Sequence, residues 1–115
     1  MNEEKLRELS LTRKWAHRKM IEKDSGVYRA FTQMEQAAYS DGALKKKTKE
    51  LIAIGISLHI NCESCMQWHI EQAASSGASY DETLEALEVG IEMGGGPATV
   101  SARFALQVMD RVFPN

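Results

Sequence analysis

The chain has 115 residues, 43% of them hydrophobic and 26% charged, with a formal net charge of −2. That size and balance suit one ordinary globular domain with its own core, and exclude a disordered or low-complexity chain. The mild acidity gives no concentrated basic face for a nucleic-acid partner.

No apolar run approaches bilayer length, and the opening "MNEEKLRELS" is charged where a signal peptide would be apolar. The expectation is a cytoplasmic protein without membrane contact. In a reducing compartment, two cysteines are more often catalytic or metal-bound than a structural bridge.

No period-two run of β-branched residues interrupts a series of helical patterns. The first predicted helix covers roughly 2–24, with Leu6, Leu9, Trp15, Ala16 and Met20 at helical spacing and Gly26 as its end. The second runs from about Val27 to Ser40, with Phe31, Met34 and Ala38 on one side. "SDGAL" (40–44) reads as a turn, because Asp-Gly accommodates unusual backbone angles cheaply.

The third segment, about 44–59, starts with Lys45, Lys46, Lys47 and Lys49 and ends in "LIAIGISLHI". A helix apolar most of the way round belongs at the centre. A fourth begins near Cys62, with Asn61 as N-cap, and fades around "SSGAS". Ser79-Tyr80-Asp81-Glu82 forms a capping box for a fifth that continues through Leu84, Leu87 and Ile91. After "GGGP" (94–97), Pro97 suits the first turn of a sixth with a stripe of Val100, Phe104, Val108 and Val112. No repeat or long linker divides the chain, so the expectation is a single all-α domain over 1–115.

Both cysteines lie in "NCESCMQWH" (61–69). On a helix, Cys62, Cys65 and His69 project from one face, since they are spaced three and four apart. Cysteines three apart on a helix have Cα atoms near disulfide separation, so the pair can cycle between dithiol and disulfide. The helix N-terminus favours a thiolate, and His69 could take or return a proton.

With an antiparallel third and fourth helix, Glu50 and His69 sit at similar depths from the turn, roughly 12 and 10 Å along their helices. A carboxylate beside an apolar run needs a partner, and His69 is the candidate, directly or through water. Lys46 and Lys47 offer Glu50 a plainer pairing across a helix turn. The dipole favours Cys62 as thiolate and the imidazole favours Cys65, so the residues alone leave their order open.

Zinc is the competing use of the stretch. His59, Cys62, Cys65 and His69 give four possible ligands, yet three share one helix face and no second ligand pair exists. Zinc is the minority reading, and nothing calls for another cofactor. His17 receives no role, and Trp68 and the methionines read as core or subunit interface.

The stretch "KTKELIAIGISLHINCESCMQWHIEQAASSGASYDETLEALEVGIEMGGGPA" resembles the carboxymuconolactone decarboxylase family, specifically its alkylhydroperoxidase D-like (AhpD-like) branch. That branch is marked by a glutamate, eleven residues, Cys-x-x-Cys, three residues and a histidine. Glu50, Cys62, Cys65 and His69 match every interval. The likeness is good over about 45–100 and looser outside.

It implies an all-α bundle of about six helices, assembled as a homo-oligomer, often a trimer or hexamer. It implies a cysteine-based peroxidase or disulfide oxidoreductase acting on a small hydroperoxide or disulfide and restored by a dithiol reductant. By the same resemblance, Cys65 is the attacking thiol, Cys62 the resolving thiol, and His69 and Glu50 the proton relay. One position departs from the best-known peroxidase member, which carries a histidine immediately before the second cysteine. Ser64 stands there and cannot act as a base near neutral pH. Two other functions compete: the lactone decarboxylation that names the family, for which paired thiols have no use, and a non-enzymatic zinc-binding or redox-sensing module.

Overall fold

The computed structural model describes residues 3–113 and is all-helical: α1 (Glu3–Glu22), α2 (Gly26–Tyr39), α3 (Lys46–His59), α4 (Glu63–Ser75), α5 (Tyr80–Gly94) and α6 (Gly96–Val112). The first position of the predicted 2–24 helix lies outside the described residues. By contact the chain divides into two compact units, one ending at Ser40 and one beginning at Asp41.

The first unit is the helical pair α1 and α2. Lys23 and Asp24 close the end of α1, with Asp24 in the left-handed region at φ 54°. Ser25 then caps α2 by accepting the Tyr28 N–H. Gly26 therefore begins a helix rather than ending one: the left-handed turn is already supplied by Asp24, whose short polar side chain tolerates it. His17 on α1 and Tyr28 on α2 are 2.6 Å apart, Nδ1 to hydroxyl. The predicted stripe of α2 remains largely exposed at Phe31 and Met34.

The second unit is built around α3. It packs most extensively on α4 and α5, while α6 lies across α4 and α5 and also touches α3. Ile54, Leu58, Met66, Ile70, Leu87, Val108 and Met109 are almost wholly buried in its core. Side chains of this size each contribute roughly 1.5–3 kcal/mol when removed from water.

The connections explain the register. Asn61 is not the N-cap of α4: it takes φ 56°, the left-handed stop after α3, where asparagine is tolerated. The cap is Cys62, whose Sγ accepts the Cys65 N–H at 3.2 Å. At α5 the expected capping box is complete, with Ser79 and Glu82 each accepting the other's backbone N–H. Gly95, at φ 71°, makes the turn into α6, and Pro97 occupies its first turn.

On α6 the stripe is rotated from the expected one. Ala98, Ala102, Ala105 and Met109 are buried with Phe104 and Val108, while Val100 is 54% exposed. Small residues allow close helix approach, so the alanines take the inner face.

Candidate active site at the α3–α4 seam

The site begins with the short turn between α3 and α4. Because Asn61 stops α3 and Cys62 caps α4, the dithiol is fixed at a helix N-terminus. Cys62 and Cys65 are joined as a disulfide with Cα atoms 5.2 Å apart, inside the range that this bond requires. Both cysteines are partly exposed, and Ser64 between them faces solvent. His69 follows Cys65 by one helical turn and keeps 13% of its side chain exposed.

Glu50 is the buried member, with 2% of its side chain exposed. A bare carboxylate at that depth would be costly. Each of its oxygens is instead matched. His69 Nδ1 lies 2.7 Å from Oε1, and Lys46 Nζ donates to Oε2 at 2.8 Å. A carboxylate only accepts, so His69 carries a hydrogen on Nδ1 in this pair, which makes Nε2 the basic nitrogen of the neutral ring. Lys46 also donates to Gln72 Oε1 at 3.1 Å.

The direct Glu50–His69 contact and the plainer Lys46–Glu50 pairing thus exist together. Lys47 does not share Glu50; it reaches Glu82 on α5 at 3.1 Å. Gln72 escaped the sequence reading altogether. Its signal was available, since it lies three residues beyond His69 on the same helical face and Lys46 lies four before Glu50.

The four residues proposed for zinc are not gathered into a ligand set. His59 is exposed, its Nδ1 only 3.2 Å from where a side-chain carbon on Gly94 would lie. Among the described residues no group of three or more His, Cys, Asp or Glu is arranged to hold a metal ion. The physical reason is the one-sided geometry: Cys62, Cys65 and His69 follow a helix while His59 ends another.

A separate depression lies on the other side of α3. An apolar groove of about 570 Å³ runs between α3 and α5, lined by Ile52, Ile56, Val89 and Met93 among others. None of Glu50, Cys62, Cys65 and His69 lines it. Chemistry, rather than volume, identifies the candidate site.

Comparison with known proteins agrees with this architecture. The carboxymuconolactone decarboxylase family profile matches residues 25–108. An uncharacterized protein encoded in the cox locus of Paracoccus denitrificans is 36% identical over 83 residues, covering 72% of this chain and 75% of that protein. A crystallised apo family protein from Legionella pneumophila superposes with a TM-score of 0.89 at 31% identity, covering 94% of this chain and 96% of the other. A family protein from Thermotoga maritima, for which a part in the antioxidative response has been suggested, gives 0.82 at 25% identity, with 90% and 88% covered. With the profile spanning most of its length and the same fold in these relatives, the chain belongs to the carboxymuconolactone decarboxylase family.

Proposed function

We propose that this protein is a thiol-dependent oxidoreductase of the alkylhydroperoxidase D-like kind, reducing a small hydroperoxide or a disulfide through Cys62 and Cys65. The observation that carries the reading is a cysteine pair already at disulfide distance on a helix N-terminus, with the Glu50–His69 pair one turn further along.

The chemistry follows from these groups. His69 Nε2 takes the proton of the Cys65 thiol. The thiolate attacks the peroxide, the O–O bond breaks, and Cys65 becomes a sulfenic acid while the alkoxide leaves with the proton from His69. Cys62 then attacks the sulfenic sulfur and closes the disulfide, and the leaving hydroxide departs as water with the proton given up by the Cys62 thiol. An external dithiol supplies the two electrons that reopen it. Glu50 holds the ring and balances its transient charge. Ser64 can donate a hydrogen bond here but supplies no base.

The order of the cysteines is taken from the family resemblance. The place of Cys62 at the head of α4 suits a resolving thiol, because a helix N-terminus favours the anion that must attack. The suggested antioxidative role of the Thermotoga maritima relative supports the same class of chemistry. Assembly as a homo-oligomer, trimer or hexamer, belongs to this reading, and the exposed Ile52, Ile56, Val89 and Met93 support it.

Thiol titration before and after peroxide, with mass spectrometry to locate the modified cysteine, tests the assignment. Reduced protein should lose both thiols reversibly, and Cys65→Ser should abolish peroxide-dependent oxidation. Unchanged turnover in that variant overturns the reading. Decarboxylation of a carboxylated lactone that survives alanine at both cysteines would move the protein to the lyase class.

A further inference from the structure

Lys46 does more than neutralise a neighbour. Its ammonium contacts Glu50 Oε2 on its own helix and Gln72 Oε1 on α4, while the other Glu50 oxygen meets His69, also on α4. Two residue pairs, each one turn apart, therefore face each other across the seam and link in the order Gln72, Lys46, Glu50, His69. Gln72 contributes no charge. Its carbonyl gives the flexible lysine a second fixed acceptor, which holds the ammonium where Oε2 needs it. The neighbouring lysine, Lys47, is committed to α5 instead.

We infer that Lys46, held by Gln72, is a positioning residue that selects which nitrogen of His69 bears the hydrogen. With Oε2 occupied by the ammonium, Glu50 remains a carboxylate, and Oε1 can only accept. The hydrogen then resides on Nδ1, and Nε2 is the nitrogen that receives a proton from the dithiol. Without Lys46, a carboxylate with 2% exposure has an oxygen buried and unmatched. The remedy is a proton on Glu50. A protonated Glu50 donates to Nδ1, moves the ring hydrogen to Nε2, and removes the acceptor that the thiol requires. This deepens the oxidoreductase reading and rests on it for the role of Nε2, but not for the tautomer itself.

The test combines ring-nitrogen NMR of the reduced protein with the rate of peroxide-driven thiol oxidation. The chain has only three histidines, so His69→Gln identifies the signal to follow. Wild type and Lys46→Arg should show the hydrogen on Nδ1, since arginine still places an N–H on Oε2. Lys46→Met should move it wholly or partly to Nε2 and slow oxidation about tenfold, the scale of one lost charge-assisted hydrogen bond. Arginine should restore the rate to within about threefold of wild type, because the charge returns with altered shape.

An unchanged Nδ1 tautomer in Lys46→Met overturns the inference, whatever the rate does. A tautomer that moves in a protein whose wild-type thiols react with neither peroxide nor a small disulfide upholds the positioning role and overturns the oxidoreductase reading instead. Lys46 is 37% exposed, so its loss leaves the core intact. Gln72→Leu, which keeps every charge of the chain, provides the second variant. It should shift the same signal partway, and no shift there removes Gln72 from the proposal.

Discussion

The two long sides of α3 solve opposite problems. Toward α4 the helix buries a charge, and every polar atom of Glu50 is met by a named partner. Toward α5 it buries almost nothing polar and instead comes close enough for backbone to touch backbone. A side-chain carbon on Gly90 would lie 2.9 Å from the Gly55 carbonyl oxygen and 3.0 Å from Leu58 Cδ2. Beside that contact, Ile52 and Ile56 stay roughly half exposed in the open groove. The comparison shows why the apolar groove is the poorer candidate for chemistry. The α4 side carries the cysteine pair and the Glu50–His69 contact, whereas the groove on the α5 side is lined mainly by apolar side chains.

The largest expected effect tests whether the α4 side is built for reaction rather than for stability. Glu50→Gln keeps the volume and can still accept a hydrogen bond from Lys46, but it loses the charge that balances a protonated His69. Peroxide-driven oxidation should fall roughly a hundredfold, within the usual range for a proton-transfer group, while the protein stays folded. A variant that loses stability and keeps its rate would make this side merely structural.

The α5 side should respond in the opposite way. Gly90→Ala forces a methyl group against backbone that cannot yield cheaply, and should cost about 1–3 kcal/mol in urea unfolding. Its oxidation rate at temperatures where it is folded should stay near that of wild type. A stability equal to wild type would show that α3 and α5 can separate without penalty, and the contrast between the two sides would lose its basis.

The smallest effect is a pH dependence at the edge of the α5 side. The Ser79 backbone N–H, followed by Lys47, holds the Glu82 carboxyl below its ordinary value of 4.5. The folded state therefore binds this proton more weakly than the unfolded chain. The resulting stabilisation is present above the ordinary value and disappears as pH falls through the lowered one. Glu82→Gln should flatten that part of the stability curve, compared by urea unfolding at about pH 7 and in acid. A variant with the slope of wild type would remove this carboxylate from the acid response.

Much of this was legible from residue spacing. The helix order and the Ser79–Glu82 box follow from local sequence patterns, which the fold preserves, and the Cys-x-x-Cys spacing allows the disulfide. Glu50 meets His69 because an antiparallel hairpin with a short turn leaves little freedom in register. What escaped depended on tertiary choice. Asn61 and Cys62 are both acceptable caps, and the decision between them came from the need for a left-handed stop after α3. Asp24 similarly took the role assigned to Gly26. On α6, Phe104 and Val108 of the expected stripe are buried, and Ala98, Ala102 and Ala105 rather than Val100 complete the inner face. Gln72 was missed although its spacing from His69 was visible, because its partner Lys46 lies on the opposite helix.

Cys62 has an additional consequence through its place at the head of α4. The same sulfur that caps the first turn of α4, by accepting the Cys65 N–H, is the one bonded to Cys65 in the disulfide. Under the proposed chemistry its charge alternates between the open and closed states, and so does the strength with which it tethers the first turn of the helix.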